Sequence, residues 1–229
     1  METREAVRPD LQIREIPSEL RAAKDESGQM VTSGRAIPYG VETVLWSDGD
    51  YEEREVIQSR AFSAALEEID QRALWNHHRE IVLGRRSAGT LTLTETDDGV
   101  DFEIVFPDSP EGVSKFTTVE RGDVNAMSFG WRDQDVKEDF FKTENRRIYK
   151  RTVIRGELRE ISPVSWEAYE GVTSIQARDQ QDISRMKGLI DSNLSEASGE
   201  VDTAAAVQRA AVLRDMQIDQ LGGINHAST

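Results

Sequence analysis

The chain has 229 residues and a formal net charge of −15, which is length enough for one ordinary domain with a real core plus extensions and the wrong sign of charge for a surface that displaces counterions from a nucleic-acid backbone. Cysteine is absent, which excludes thiol nucleophiles, zinc–thiolate sites and disulfides and suits a reducing compartment. No apolar run follows the first charges and none approaches the length of a membrane span, so an unsecreted protein without direct contact to membrane or nucleic acid is expected.

Residues 1–10 are charged, and Leu11 to Ile16 alternates as a first strand. Pro17 to Gly28 is polar and reads as loop, Gln29 to Ile37 as a second strand closed by Pro38-Tyr39-Gly40, and Tyr51 to Gln58 as an acidic third strand at a sheet edge. From Ser59 the period changes. Phe62, Ala65, Leu66 and Ile69 fall at helical spacing with Glu67 and Glu68 outward, which predicts a short amphipathic helix. A strand from Arg72 to His77 runs into Asn76-His77-His78-Arg79-Glu80, and two alternating arms, Thr90 to Thr96 and Val100 to Phe106, are joined by Asp97-Asp98-Gly99 as a hairpin. Glu111 to Arg121 predicts a second helix whose buried stripe is Val113, Phe116 and Val119.

After a turn at Gly122-Asp123 comes Asn125-Ala126-Met127-Ser128-Phe129-Gly130-Trp131. At the two-residue period of a strand it puts Met127, Phe129 and Trp131 on one face and the small Ala126, Ser128 and Gly130 on the other. The bland interpretation of that bare face is close packing against another element. The chemical one is a lone hydroxyl on an uncluttered surface, as acyl transfer requires. Residues 133 to 146 are highly charged, and Arg147 to Arg155 and Glu157 to Ile161 predict two strands around Gly156. Pro163 to Gly171 is an aromatic-bearing turn and Val172 to Ala177 a last short strand. Beyond Arg178 the composition turns polar, with Ser192 to Gly199 as linker and Asp202 to Leu221 as a helix with a weak apolar stripe, stopped by Gly222-Gly223.

Of three histidines, His226 lies in the tail, so His77-His78 is the place for an imidazole base. Neighbours in a strand point to opposite faces, so at most one of the two shares a surface with Ser128. The same geometry disfavours one metal ion bound by both. A serine–histidine pair needs a third group to hold the imidazole. Glu160, late in a strand among apolar neighbours, is the preferred candidate, with Asp123 and Asp133 next and a salt bridge to a nearby arginine as its structural alternative.

Asn76-His77, Leu83-Gly84-Arg85, Met127-Ser128-Phe129-Gly130 and Leu158-Arg159-Glu160-Ile161-Ser162-Pro163-Val164-Ser165-Trp166-Glu167-Ala168-Tyr169 resemble, in that order, the successive motifs of the tailed-bacteriophage prohead serine protease family, which is related in fold to the herpesvirus assemblins. The likeness covers roughly Ser33 to Arg178. His78 stands where many members have an acidic residue, and Glu167 replaces a common proline.

The resemblance implies an α+β fold, mainly an antiparallel β-barrel or strongly curved sheet surrounded by helices. It implies an extension over 1–28 carrying the first strand, a protease domain over 29–178, and a linker and helical tail over 179–229 that is self-cleaved or docks to the capsid. Ser128 would be the nucleophile, His77 the general base and then acid, and Glu160 the orienting acid, with no cofactor or metal. Oxyanion donors are expected among the backbone N–H groups near Arg147 to Lys150 or an arginine beside them. The implied substrates are the scaffolding segment of the major capsid protein and the protease itself, which would also self-associate, inside the immature prohead in the host cytoplasm. A non-enzymatic capsid scaffold, and a metal-dependent hydrolase using His77, His78 and Glu80, are the competing readings.

Overall fold

The computed structural model describes residues 11–165 and 180–198. They fold mostly as β-structure with few helices. The strands are β1 (Gln12–Pro17), β2 (Arg21–Lys24), β3 (Met30–Pro38), β4 (Thr43–Asp48), β5 (Tyr51–Ile57), β6 (Arg72–Trp75), β7 (His78–Arg85), β8 (Leu91–Thr96), β9 (Gly99–Val105), β10 (Ala126–Lys142) and β11 (Arg147–Val164). The helices are α1 (Ser63–Glu68), α2 (Pro110–Glu120) and α3 (Gln180–Ser198). One sheet runs β1-β10-β11-β5-β4, with β6 added on β11 and β7 on β6; the other runs β2-β3-β9-β8. Neither closes on itself, so the expected barrel gives way to two open sheets. The chain passes from one to the other between β1 and β2, where the Ser18 N–H donates to the Asn125 carbonyl at 3.3 Å.

The described residues divide into two compact units, the first comprising 11–45, 54–138 and 151–165 and the second 46–53, 139–150 and 180–198. In the first unit both sheets share one core. Ile37, Val100, Phe102 and Ile104 from one meet Met127, Phe129, Trp131, Leu158 and Ile161 from the other, together with Phe62, Phe116 and Val119. Phe62 packs edge-on against Phe129 and Trp131, with ring centroids 6.5 and 6.1 Å away. Burying each such ring contributes about 1.5–3 kcal/mol relative to exposing it. In the second unit α3 packs Met186 and Ile190 on Tyr149, Lys187 lies over the rings of Trp46 and Tyr51, and the Tyr51 hydroxyl donates to Asp191 at 2.7 Å.

Several expectations need correction. The loop Pro17 to Gly28 contains β2, an exposed strand held by pairing with β3 rather than by burial. Strand β5 is interior, not an edge, because β4 lies outside it, and the acidic pattern misled because Glu52, Glu53 and Glu55 are buried. Strand β7 starts at the second histidine, His78, so that only His77 of the pair lies in the turn, and it returns along β6 in antiparallel register. Val113 of α2 is 43% exposed, and Gly112 takes its place in the buried stripe with Phe116 and Val119. The two strands foreseen around Gly156 are one, β11, since that glycine lies where a Cβ would come within 2.8 Å of both Phe62 and Trp131. The linker expected at Ser192 to Gly199 is occupied up to Ser198 by α3. The strand Val172 to Ala177 and the helix Asp202 to Leu221 lie outside the described residues.

Candidate active site

Strand β10 sorts its side chains as its period dictates. Met127, Phe129 and Trp131 fill the core, while Ala126 and Ser128 on the other face are also fully buried. Gly130 shows what lies against that small-residue face. A Cβ there would come within 2.6 Å of Glu160 Oε1 and 3.2 Å of Leu11 Cδ2. The missing side chain makes room for a carboxylate from the neighbouring strand β11.

The imidazole reaches the same carboxylate by a turn. Strand β6 runs parallel to β11, with Arg72 opposite Glu160 and Ala73 opposite Ile161, and the match in step continues until the Asn76 N–H donates to the Pro163 carbonyl at 3.1 Å. Asn76 and His77 then take φ of 48° and 62°. This left-handed conformation costs an L-residue about 1–2 kcal/mol, although asparagine and histidine adopt it more readily than most. Side-chain hydrogen bonds offset that cost. The Ser165 N–H donates to Asn76 Oδ1 at 2.9 Å and Asn76 Nδ2 donates to Ser165 Oγ at 3.1 Å, while the His77 N–H donates to Ser162 Oγ at 3.2 Å.

His77 Nδ1 lies 2.8 Å from Glu160 Oε1. A carboxylate only accepts, so Nδ1 carries the proton and Nε2 of the neutral ring is left as the lone-pair nitrogen. Nε2 is buried and, among the described residues, without a hydrogen-bond partner. The other carboxylate oxygen, Oε2, accepts from Ser162 Oγ at 2.6 Å. Burial opposes the charged imidazolium, but the hydrogen bond and negative charge of Glu160, with Glu15 adding its own charge, outweigh it and hold His77 above the usual histidine value. Glu15 is also the residue of β1 that stands opposite Ser128. Ser128 Oγ donates to the Arg14 carbonyl at 3.0 Å.

Thus His77 and Glu160 are hydrogen-bonded to each other, and Glu160 lies against the face of β10 that carries Ser128. No hydrogen bond joins Ser128 to His77. The other candidates are engaged elsewhere. Asp133 accepts from Arg151 at 2.5 Å and from the Trp131 indole at 2.9 Å, and Asp123 pairs with Arg121 at 3.2 Å. His78 points to exposed Glu80 at 3.2 Å. Among the described residues no group of three metal-binding side chains comes together, so the trio His77, His78 and Glu80 does not assemble. Arg147, expected near an oxyanion site, gives its N–H to the Asp50 carbonyl and its guanidinium to Asp191 and the Tyr51 ring. A groove of about 780 Å³, whose lining includes Met30, Leu83, Phe106 and Phe116, contains none of Ser128, His77 and Glu160.

Sequence reasoning passed over Ser162 as a functional group. Its signal was available, because it stands two residues after Glu160 and therefore on the same side of β11.

The family model of the caudovirus prohead serine protease matches residues 18–187 of this chain. No curated protein matches it. Among solved structures, the bacteriophage T4 capsid assembly protease, gp21, is similar with a TM-score of 0.42 and 11% identity, covering 68% of this chain and 97% of its own.

Proposed function

This chain belongs to the caudovirus prohead serine protease family, and from that premise we propose that Ser128, His77 and Glu160 form its catalytic triad. The supporting observation is the hydrogen bond from His77 Nδ1 to Glu160, which leaves Nε2, without a hydrogen-bond partner among the described residues, as the basic nitrogen, while the same carboxylate lies against the face of β10 that carries Ser128. The reaction requires Ser128 Oγ, which donates to the Arg14 carbonyl at 3.0 Å, to turn about its χ1 bond toward Nε2. As Oγ attacks the substrate's carbonyl carbon, its proton passes to Nε2. The C–N bond then breaks, the leaving amine takes that proton, and water activated by the same imidazole hydrolyses the ester. Glu160 fixes the tautomer throughout and stabilises the transient imidazolium.

The substrates in this reading are capsid proteins of the assembling prohead, above all the scaffolding segment of the major capsid protein, and the protease's own tail from about Gln180. The reaction takes place inside the immature shell in the host cytoplasm. In this reading the nucleophile stands on β10 and the base on the β6–β7 turn. The test is co-expression with the capsid precursor of the same phage. Wild type shortens the precursor, whereas Ser128→Ala and His77→Ala leave it full length; assembly without shortening by wild type would instead favour a scaffold that performs no hydrolysis.

A further inference from the structure

The hydrogen bonds around Glu160 do not end at the imidazole. Ser162 Oγ donates to Glu160 Oε2 at 2.6 Å and accepts from the His77 backbone N–H at 3.2 Å, and Ser162 has no exposed surface. One hydroxyl therefore connects both partners of the His77–Glu160 pair. Its donor end keeps the carboxylate from rotating, which presents Oε1 to Nδ1. Its acceptor end ties down the backbone of a histidine held at φ 62°, a conformation that relaxes when its tethers are lost. A water cannot replace a side chain this well enclosed without room for it.

We infer that Ser162 is a positioning residue for hydrolysis, holding Glu160 and the left-handed His77 in the mutual geometry that the reaction uses. The inference rests on the triad reading above. Two charged groups act on the imidazole, Glu160 from β11 and Glu15 from β1, and only the first is tied to Ser162. Loss of the hydroxyl should free Glu160 to swing off Nδ1 and weaken its hold on the imidazolium, leaving the contribution of Glu15 in place. The proton on His77 then becomes easier to lose.

The experiment follows the rate at which diisopropyl fluorophosphate modifies the full-length protein between about pH 5.5 and 9, since that reaction uses the same hydroxyl and base without needing the natural substrate. In Ser162→Ala the rate should fall about 10- to 100-fold, part of what a positioned base contributes, and the acid limb of the profile should move to lower pH. Ser162→Thr, which retains the hydroxyl, should recover the wild-type limb. Ser162→Cys is the second variant should alanine fail to fold: it keeps a γ atom to fill the site, replaces the hydroxyl by a weak donor, and should show the alanine shift. A wild-type limb in the alanine and cysteine variants, at any rate, overturns the inference and leaves the triad intact. Labelling of wild type away from Ser128, or undiminished labelling in His77→Ala, overturns the triad and the inference with it.

Discussion

At the scale of single residues, the arrangement turns on a histidine whose charged form is favoured. Its folded value is raised above about 6.5, so the His77–Glu160 ion pair stabilises the fold fully below the unfolded value and loses that contribution as pH rises through the folded one. Urea denaturation of wild type and His77→Gln, at about pH 6 and again at about pH 9, should show the stability gap narrowing at the higher pH. A constant or widening gap would contradict the assignment of that shift. Individual residues were partly legible in advance. Glu160 stood out as a carboxylate among apolar neighbours, and Asn76-His77 as polar residues at a strand end. What the one-dimensional pattern could not convey is that Gly130 is small because Glu160 occupies its space. That relation links residues 30 positions apart and exists only once two strands are neighbours.

At the scale of elements, β10 and β11 carry Ser128 and Glu160 of the proposed triad, and both extend further than their sequence suggested. Strand β10 continues through the charged stretch to Lys142 because its charges find partners, as when Arg151 bridges Glu55 at 2.8 Å and Asp133 at 2.5 Å. Arg14 of β1 binds the same Glu55 with two nitrogens, at 2.8 and 2.9 Å, and lies over the Trp131 ring. Period-two alternation is blind to such buried ion pairs, which is why β5 read as an edge. Gly156 misled in the opposite direction, since a glycine inside a strand resembles a break when it marks a close approach. Gly156→Ala should therefore destabilise the protein by about 1–3 kcal/mol, the usual penalty of overpacking, because Phe62 and Trp131 are both fully buried and have little space to retreat. Chemical denaturation measures this, and an unchanged midpoint would show that the aromatic cluster yields more easily than its packing implies.

At the scale of the whole molecule, the class was legible and the closure was not. Alternating arms, an amphipathic helix and ordered motifs pointed to a mainly β chain of a protease family, and the family match over residues 18–187 agrees. Whether sheets close is decided by pairings between distant strands, and here β1, β4, β2 and β8 end their rows without joining. The charge of −15 suits the proposed setting, because a protein acting within a shell that later receives DNA is repelled by the phosphate backbone rather than held on it. The central proposal is that the hydroxyl of β10 is made nucleophilic by the imidazole of the β6–β7 turn. Treatment of the full-length protein with diisopropyl fluorophosphate, followed by peptide mapping in a mass spectrometer, tests this directly. The expected result is a single adduct on Ser128 that is lost in His77→Ala; an adduct on another serine, or equal modification of Ser128 without the imidazole, would contradict it.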